Sequence, residues 1–88
     1  MSSNRKSIFV TGAASGLGRE VSRYFAGKGW FIGLADVNEA GLKETADMLP
    51  AGQWSIHILD VTDRTQWKAA VAEFAKHTGG KMDVLFNN

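Results

Sequence analysis

Thr11 to Gly18 reads TGAASGLG and follows directly on the apolar run Ile8-Phe9-Val10. The three glycines have the spacing G-x-x-x-G-x-G. The run before them is what a strand buried on both faces requires. After them Leu17, Val21, Tyr24 and Phe25 recur at helical spacing. They predict an amphipathic helix with Arg19, Glu20, Ser22 and Arg23 on its outer side. Gly27 and Gly29 are expected to end it. A strand, a glycine turn and a helix start in this order make an anion site, because the first turn of a helix leaves backbone N–H groups unpaired and carries positive partial charge. Gly12 permits the tight turn out of the strand. Gly16 lets a pyrophosphate reach the backbone, and Gly18 lets the helix pack closely on the sheet. Ser15 adds a hydroxyl and Leu17 a backbone N–H. A P-loop is excluded by the spacing and by the missing Lys-Ser/Thr pair.

Outward from the loop, the pattern repeats. Trp30 to Ala35 is a second continuous apolar run and a second buried strand. Asn38 is an N-cap for the next helix, with Val37 and Leu42 at hydrophobic-staple spacing. Leu42, Ala46 and Leu49 form that helix's inward stripe, and Pro50 stops it. Gln53 to Leu59 alternates, with Trp54, Ile56 and Ile58 on one side and Gln53, Ser55 and His57 on the other. Alternation predicts an edge strand with one wetter face. Thr62 is expected to cap a third helix whose apolar face is Trp67, Val71, Phe74 and Ala75. Gly79-Gly80 closes it, and Met82 to Asn88 contains a final apolar strand.

The order β-α-β-α-β-α-β predicts an α/β fold with a parallel sheet and right-handed crossovers. The buried first, second and fourth runs and the alternating third give strand order 3-2-1-4, the first half of a doubly wound Rossmann sheet. Residues 1–88 therefore read as one partial dinucleotide-binding domain, with 1–6 expected to be flexible.

Asp36 is a second signal. It ends the second strand 18 residues after Gly18, where an acidic residue grips the adenosine ribose hydroxyls of NAD. The same carboxylate repels the 2′-phosphate of NADP, and no Lys or Arg lies inside the loop before Gly18. NAD is therefore the expected cofactor, preferred over NADP.

Composition narrows the field. The chain has 88 residues, net charge +1 and no cysteine. With charges interspersed and no basic stripe, nucleic acid is not an expected partner. Disulfide and thiol chemistry are excluded. The polar start MSSNRKS leads into an apolar run too short for a signal-peptide core or a membrane span, so a cytoplasmic protein is expected. His57 and His77 lack ligand-spaced partners, and no metal is expected.

These residues resemble the short-chain dehydrogenases/reductases. TGAASGLG matches that family's T-G-x-x-x-G-x-G cofactor loop, and Leu34-Ala35-Asp36 resembles its acidic strand end. Leu59 to Asp63, LDVTD, resembles its D-V segment. The resemblance implies that Asp60 contacts the adenine amino group and Val61 the ring through its backbone. Phe86-Asn87-Asn88 resembles the opening of its N-N-A-G motif, which places Asn87 and Asn88 beside the adenosine ribose and the central sheet. The loop fits the family's main branch; the extended branch requires Gly where Ser15 stands.

The resemblance implies hydride transfer between a nicotinamide and a small alcohol or carbonyl substrate, in a protein that is a homo-oligomer at full length. The family's Ser, Tyr and Lys follow N-N-A-G, inside which this sequence ends. The chain is thus expected to be the N-terminal, cofactor-binding part of such an enzyme, with no catalytic residue of its own. Tyr24, its one tyrosine, is assigned to the first helix's apolar face and not to the catalytic pair. A non-catalytic nucleotide-binding module or an inactive fragment is the alternative.

Overall fold

A computed structural model describes residues 5–88. The chain alternates β1 (Ser7–Thr11), α1 (Gly16–Gly27), β2 (Phe31–Asp36), α2 (Glu39–Asp47), β3 (Trp54–Ile58), α3 (Arg64–Thr78) and β4 (Val84–Phe86). All pairings are parallel and the sheet order is β3-β2-β1-β4, as the sequence predicts. Residues 1–4 of the stretch expected to be flexible lie outside the described residues. Arg5 and Lys6 stand over the rings of Phe31 and Trp30.

The strand period of two divides the core between the faces. Ile8 and Val10 of β1 and Ile32 and Leu34 of β2 pack beneath α1 and α2, with Ala26, Leu42, Ala46 and Leu49. Phe9, Phe31 and Ala35 point to the other face, where Ala70 and Phe74 of α3 cover them. Gly33 has no side chain because the rings of Phe9 and Phe74 fill the space where a Cβ would stand. Val84 and Leu85 of β4 are exposed, 38% and 45%, because among the described residues no helix covers this edge.

Several local expectations are corrected. On α1, Leu17 and Tyr24 are exposed, and the buried residues are Gly18, Ser22 and Ala26. Val21 and Phe25 pack against the core as expected, but small residues one turn apart let the helix lie close against the sheet, so the fully buried stripe is rotated away from Leu17 and Tyr24. Ser22, expected outside, satisfies itself by donating to the Gly18 carbonyl at 2.8 Å. Val37 is exposed and makes no staple over the buried Leu42, while Asn38 does cap α2 by accepting from Gly41 N–H. The cap of α3 is Asp63, which accepts from Gln66 N–H at 3.1 Å. Thr62 donates instead to Asp60.

The edge position of β3 holds, but its wetter face does not. Ser55 and His57 are buried, whereas Ile58 is exposed. The polar pair lies on the face covered by α3, with the His57 ring 5.3 Å from Phe9 and 6.1 Å from Phe74. The two side chains satisfy each other at 2.7 Å, Ser55 Oγ to His57 Nε2. Burial, aided by the charge of His77 and opposed by Glu73, lowers the His57 pKa to about 4. His57 is therefore a neutral core residue at neutral pH.

Candidate cofactor-binding site

In a parallel sheet the crevice beyond the carboxyl ends of the strands, where neighbouring connections diverge, is where ligands bind. Here that edge carries the loop after β1, the end of β2 and the turn after β3. Thr11, Gly12, Asp36, Val37, Leu59, Asp60, Val61 and Asn88 line an open cavity of about 200 Å³. The fold thus brings Gly12, Asp36, Asp60 and Val61 together from three separate segments. Ser15, Gly16, Leu17 and Gly18 are not among its walls; they form the first turn of α1 beside it. Asn87 lies in a neighbouring groove of about 600 Å³, with Arg64, Trp67 and Lys68.

The loop is shaped for close approach. Gly16 has φ +57°, and nothing lies within 4 Å of where its Cβ would stand. An anion could therefore reach the backbone there unobstructed. Ser15 is the N-cap of α1 but its hydroxyl makes no capping bond, and the N–H groups of the first turn have no intrahelical acceptor. A Cβ on Gly18 would stand 2.1 Å from the Gly12 carbonyl oxygen. The close packing that Gly18 allows is therefore against the loop backbone itself.

Asp36 is half buried at the end of β2. Its Oδ2 accepts from Ala14 N–H and its Oδ1 from Asn38 N–H, both at 3.1 Å. The carboxylate is thus oriented by backbone on two sides. Asp60 is exposed and accepts from the Thr62 hydroxyl at 2.6 Å and the Thr62 N–H at 2.9 Å. These bonds hold its pKa below the ordinary carboxylate value, because both stabilise the charged form.

Two residues were passed over by the sequence reading. Buried Thr11 donates to Asn87 Oδ1 at 3.0 Å and accepts from Asn88 N–H at 2.9 Å, joining the loop to the segment after β4. Ala14 supplies the N–H that seats Asp36. Neither a threonine in a strand end nor an alanine in a loop carries a signal at the level of residue type.

Tyr24 and Lys28 have the Tyr-x-x-x-Lys spacing of the family's catalytic pair. Geometry keeps them from the site. Tyr24 is eight positions along α1 from Gly16, about 12 Å at the helical rise. Its ring packs on Phe25, which packs on Trp30 just before β2, at the amino end of the strands. Lys28 Nζ stands 5.0 Å from the centre of the Tyr24 ring.

Among the described residues no group of three or more His, Asp or Glu side chains is placed to hold a metal ion, and no helix is long and apolar enough to cross a membrane.

The family model for short chain dehydrogenase matches residues 6–88. An uncharacterized oxidoreductase of Bacillus subtilis, YxbG, is 36% identical over 85 residues, covering 94% of this chain and 31% of the relative. The L-2,3-butanediol dehydrogenase of Corynebacterium glutamicum is 39% identical over 87 residues, covering 94% and 33%. A crystal structure of actinorhodin polyketide ketoreductase with NADPH superposes with TM-score 0.88 at 31% identity, covering 98% of this chain and 33% of that one. The chain spans about a third of the length of the curated relatives it matches.

Proposed function

The chain belongs to the short-chain dehydrogenase family, and on that premise we propose that it holds the adenosine and pyrophosphate of a nicotinamide dinucleotide, NAD(H) in preference to NADP(H). The residues fit such a cofactor. The open backbone at Gly16 and the unpaired N–H groups of α1 suit a pyrophosphate. The fixed carboxylate of Asp36 suits a ribose diol, to which it can offer two charged hydrogen bonds. Asp60 and Val61, which also line the cavity, are assigned to the adenine, and Asn87 to the adenosine ribose. Ser15 and Leu17 add a hydroxyl and an N–H at the pyrophosphate.

When bound, the nicotinamide supplies or accepts the hydride that interconverts an alcohol and a carbonyl. The part proposed for these 88 residues is to bind and orient. Gly12 and Gly18 let loop and helix meet closely enough to aim the first-turn N–H groups at one point. Asp36 fixes the adenosine end. No proton-transferring group is assigned here. The parent enzyme is proposed to be a cytoplasmic homo-oligomer acting on a small alcohol or carbonyl compound.

The observation that carries the reading is the Asp36 carboxylate, held by two backbone N–H groups at the wall of the cavity. A solved relative of similar fold holds NADPH, so the preference has to be tested on this protein. Parallel calorimetric titrations of NADH and NADPH do so. Tighter NADH binding supports the reading, and equal or tighter NADPH binding overturns it.

A further inference from the structure

Arg19 follows the glycine loop, and its position on α1 predicts a solvated side chain. Instead its side chain is only 20% exposed and reaches across to α2. Nε donates to Thr45 Oγ1 at 2.9 Å. Nη2 donates to the Ala14 carbonyl at 2.5 Å and pairs with Glu44 Oε1 at 3.1 Å, with the Gly41 carbonyl at 3.3 Å. Thr45 Oγ1 in turn donates to the Ala13 carbonyl at 2.7 Å. One planar guanidinium therefore joins the glycine loop, α1 and α2, using the fixed fork that an ammonium lacks.

Ala14 is the meeting point. Its carbonyl accepts from Arg19 and its N–H donates to Asp36. We propose that Arg19 is a positioning residue for cofactor choice: it holds both peptide units flanking Ala14, one directly through the Ala14 carbonyl and the other through Thr45 on the Ala13 carbonyl, and so fixes the Ala14 N–H against which the Asp36 carboxylate is seated. The proposal rests on the reading of Asp36 given above.

Two distance dependences decide what Arg19 controls. Hydrogen bonds from a ribose diol to a carboxylate weaken steeply with length and angle. The repulsion between that carboxylate and a 2′-phosphate falls only inversely with distance. A displacement of a few tenths of an ångström thus weakens the diol's bonds while barely altering the repulsion. Releasing Ala14 should cost NADH affinity and leave NADPH nearly as it was. If Arg19 acted simply as a positive charge near phosphates, its loss would harm the more highly charged NADPH more.

The test compares NADH and NADPH dissociation constants for the wild-type protein, Arg19→Met, Arg19→Lys and Asp36→Ala, with circular dichroism to confirm folding. Arg19→Met is expected to weaken NADH about tenfold, a loss of one charge-assisted bond's worth, and NADPH less than twofold. Arg19→Lys, which keeps the charge but not the fork, is expected to fall about midway for NADH. Equal losses for both dinucleotides, or a larger loss for NADPH, overturn the proposal. Should Arg19→Met fail to fold, Arg19→Lys decides alone: an unchanged NADH/NADPH ratio overturns it. If Asp36→Ala narrows the ratio and the Arg19 variants do not, the Arg19 proposal falls by itself. If Asp36→Ala also leaves the ratio unchanged, the reading of Asp36 falls with it.

Discussion

The N–H of Ala14 donates to Asp36 Oδ2 at 3.1 Å, beside the Ala13 N–H that donates to the Ala35 carbonyl at 3.1 Å, so the loop after β1 and the end of β2 meet through adjacent hydrogen bonds, one to the carboxylate and one to backbone. A second N–H, from Asn38, fixes the other carboxylate oxygen. The group proposed to read the ribose is thus oriented before any ligand arrives, which spares binding part of the ordering cost.

Asp36→Ala removes both the proposed diol contacts and the repulsion of a 2′-phosphate. A hydrogen bond to a charged group is worth about 1.5–3 kcal/mol, so NADH affinity should fall about tenfold or more. NADPH affinity should hold or rise. Isothermal titration calorimetry of the two dinucleotides gives the ratio directly.

Gly18→Ala places a Cβ 2.1 Å from the Gly12 carbonyl oxygen. Backbone has to move, and overpacking of this kind costs about 1–3 kcal/mol. Gly16→Ala meets no neighbour but holds alanine at φ +57°, at a cost of about 1–2 kcal/mol. Urea denaturation should therefore rank Gly18→Ala as the less stable. Gly16→Ala should chiefly weaken dinucleotide binding, by narrowing the approach to the backbone.

Asp63→Ala removes the cap of α3 and should cost about 1 kcal/mol. Thr62→Ala leaves that cap in place and should cost less. It should also raise the Asp60 pKa towards its ordinary value, since the hydroxyl bond that lowers it is gone. Denaturation curves check the first two statements, and carboxyl NMR titration the third.

Acid should weaken the fold through His57. In the unfolded chain this imidazole takes up a proton near pH 6.5, and in the fold only near 4. Above pH 6.5 the group adds no pH dependence. As pH falls from 6.5 towards 4 the unfolded state binds the extra proton, and stability is lost. The loss is about 2 kcal/mol once the shift is discounted for nearby solvent. His57→Gln should flatten the stability profile over this range, measured by denaturation at several pH values.

Most of the fold was legible because each buried element wrote its period into the chain. Continuous apolar runs marked the central strands, and the alternation around Ile56 marked the edge. The errors came where packing overrode residue type. Alternation reported two different faces for β3, but not that α3 would cover the polar one; Ser55 and His57 made that burial tolerable by bonding to each other. On α1, Val21 and Phe25 do pack on the core, but Leu17 and Tyr24 do not, because close helix–sheet approach favours Gly18, Ser22 and Ala26. At the site, Asp36 and the glycines were legible because their chemistry is tied to residue type. Thr11 and Ala14 were not, since each acts through a bond that only the folded chain brings together. Arg19 was read as solvated because nothing in the sequence says that Thr45 and Glu44 lie within its reach.

The central claim is that the glycine loop and Asp36 receive a dinucleotide. Titrating NADH into the ¹⁵N-labelled protein, with amide resonances followed one by one, tests it most directly. The account predicts saturable shifts at Gly12, Gly16, Leu17, Gly18, Asp36 and Val61, with Tyr24 and Lys28 unmoved. Shifts confined to other residues, or none at millimolar NADH, would contradict it.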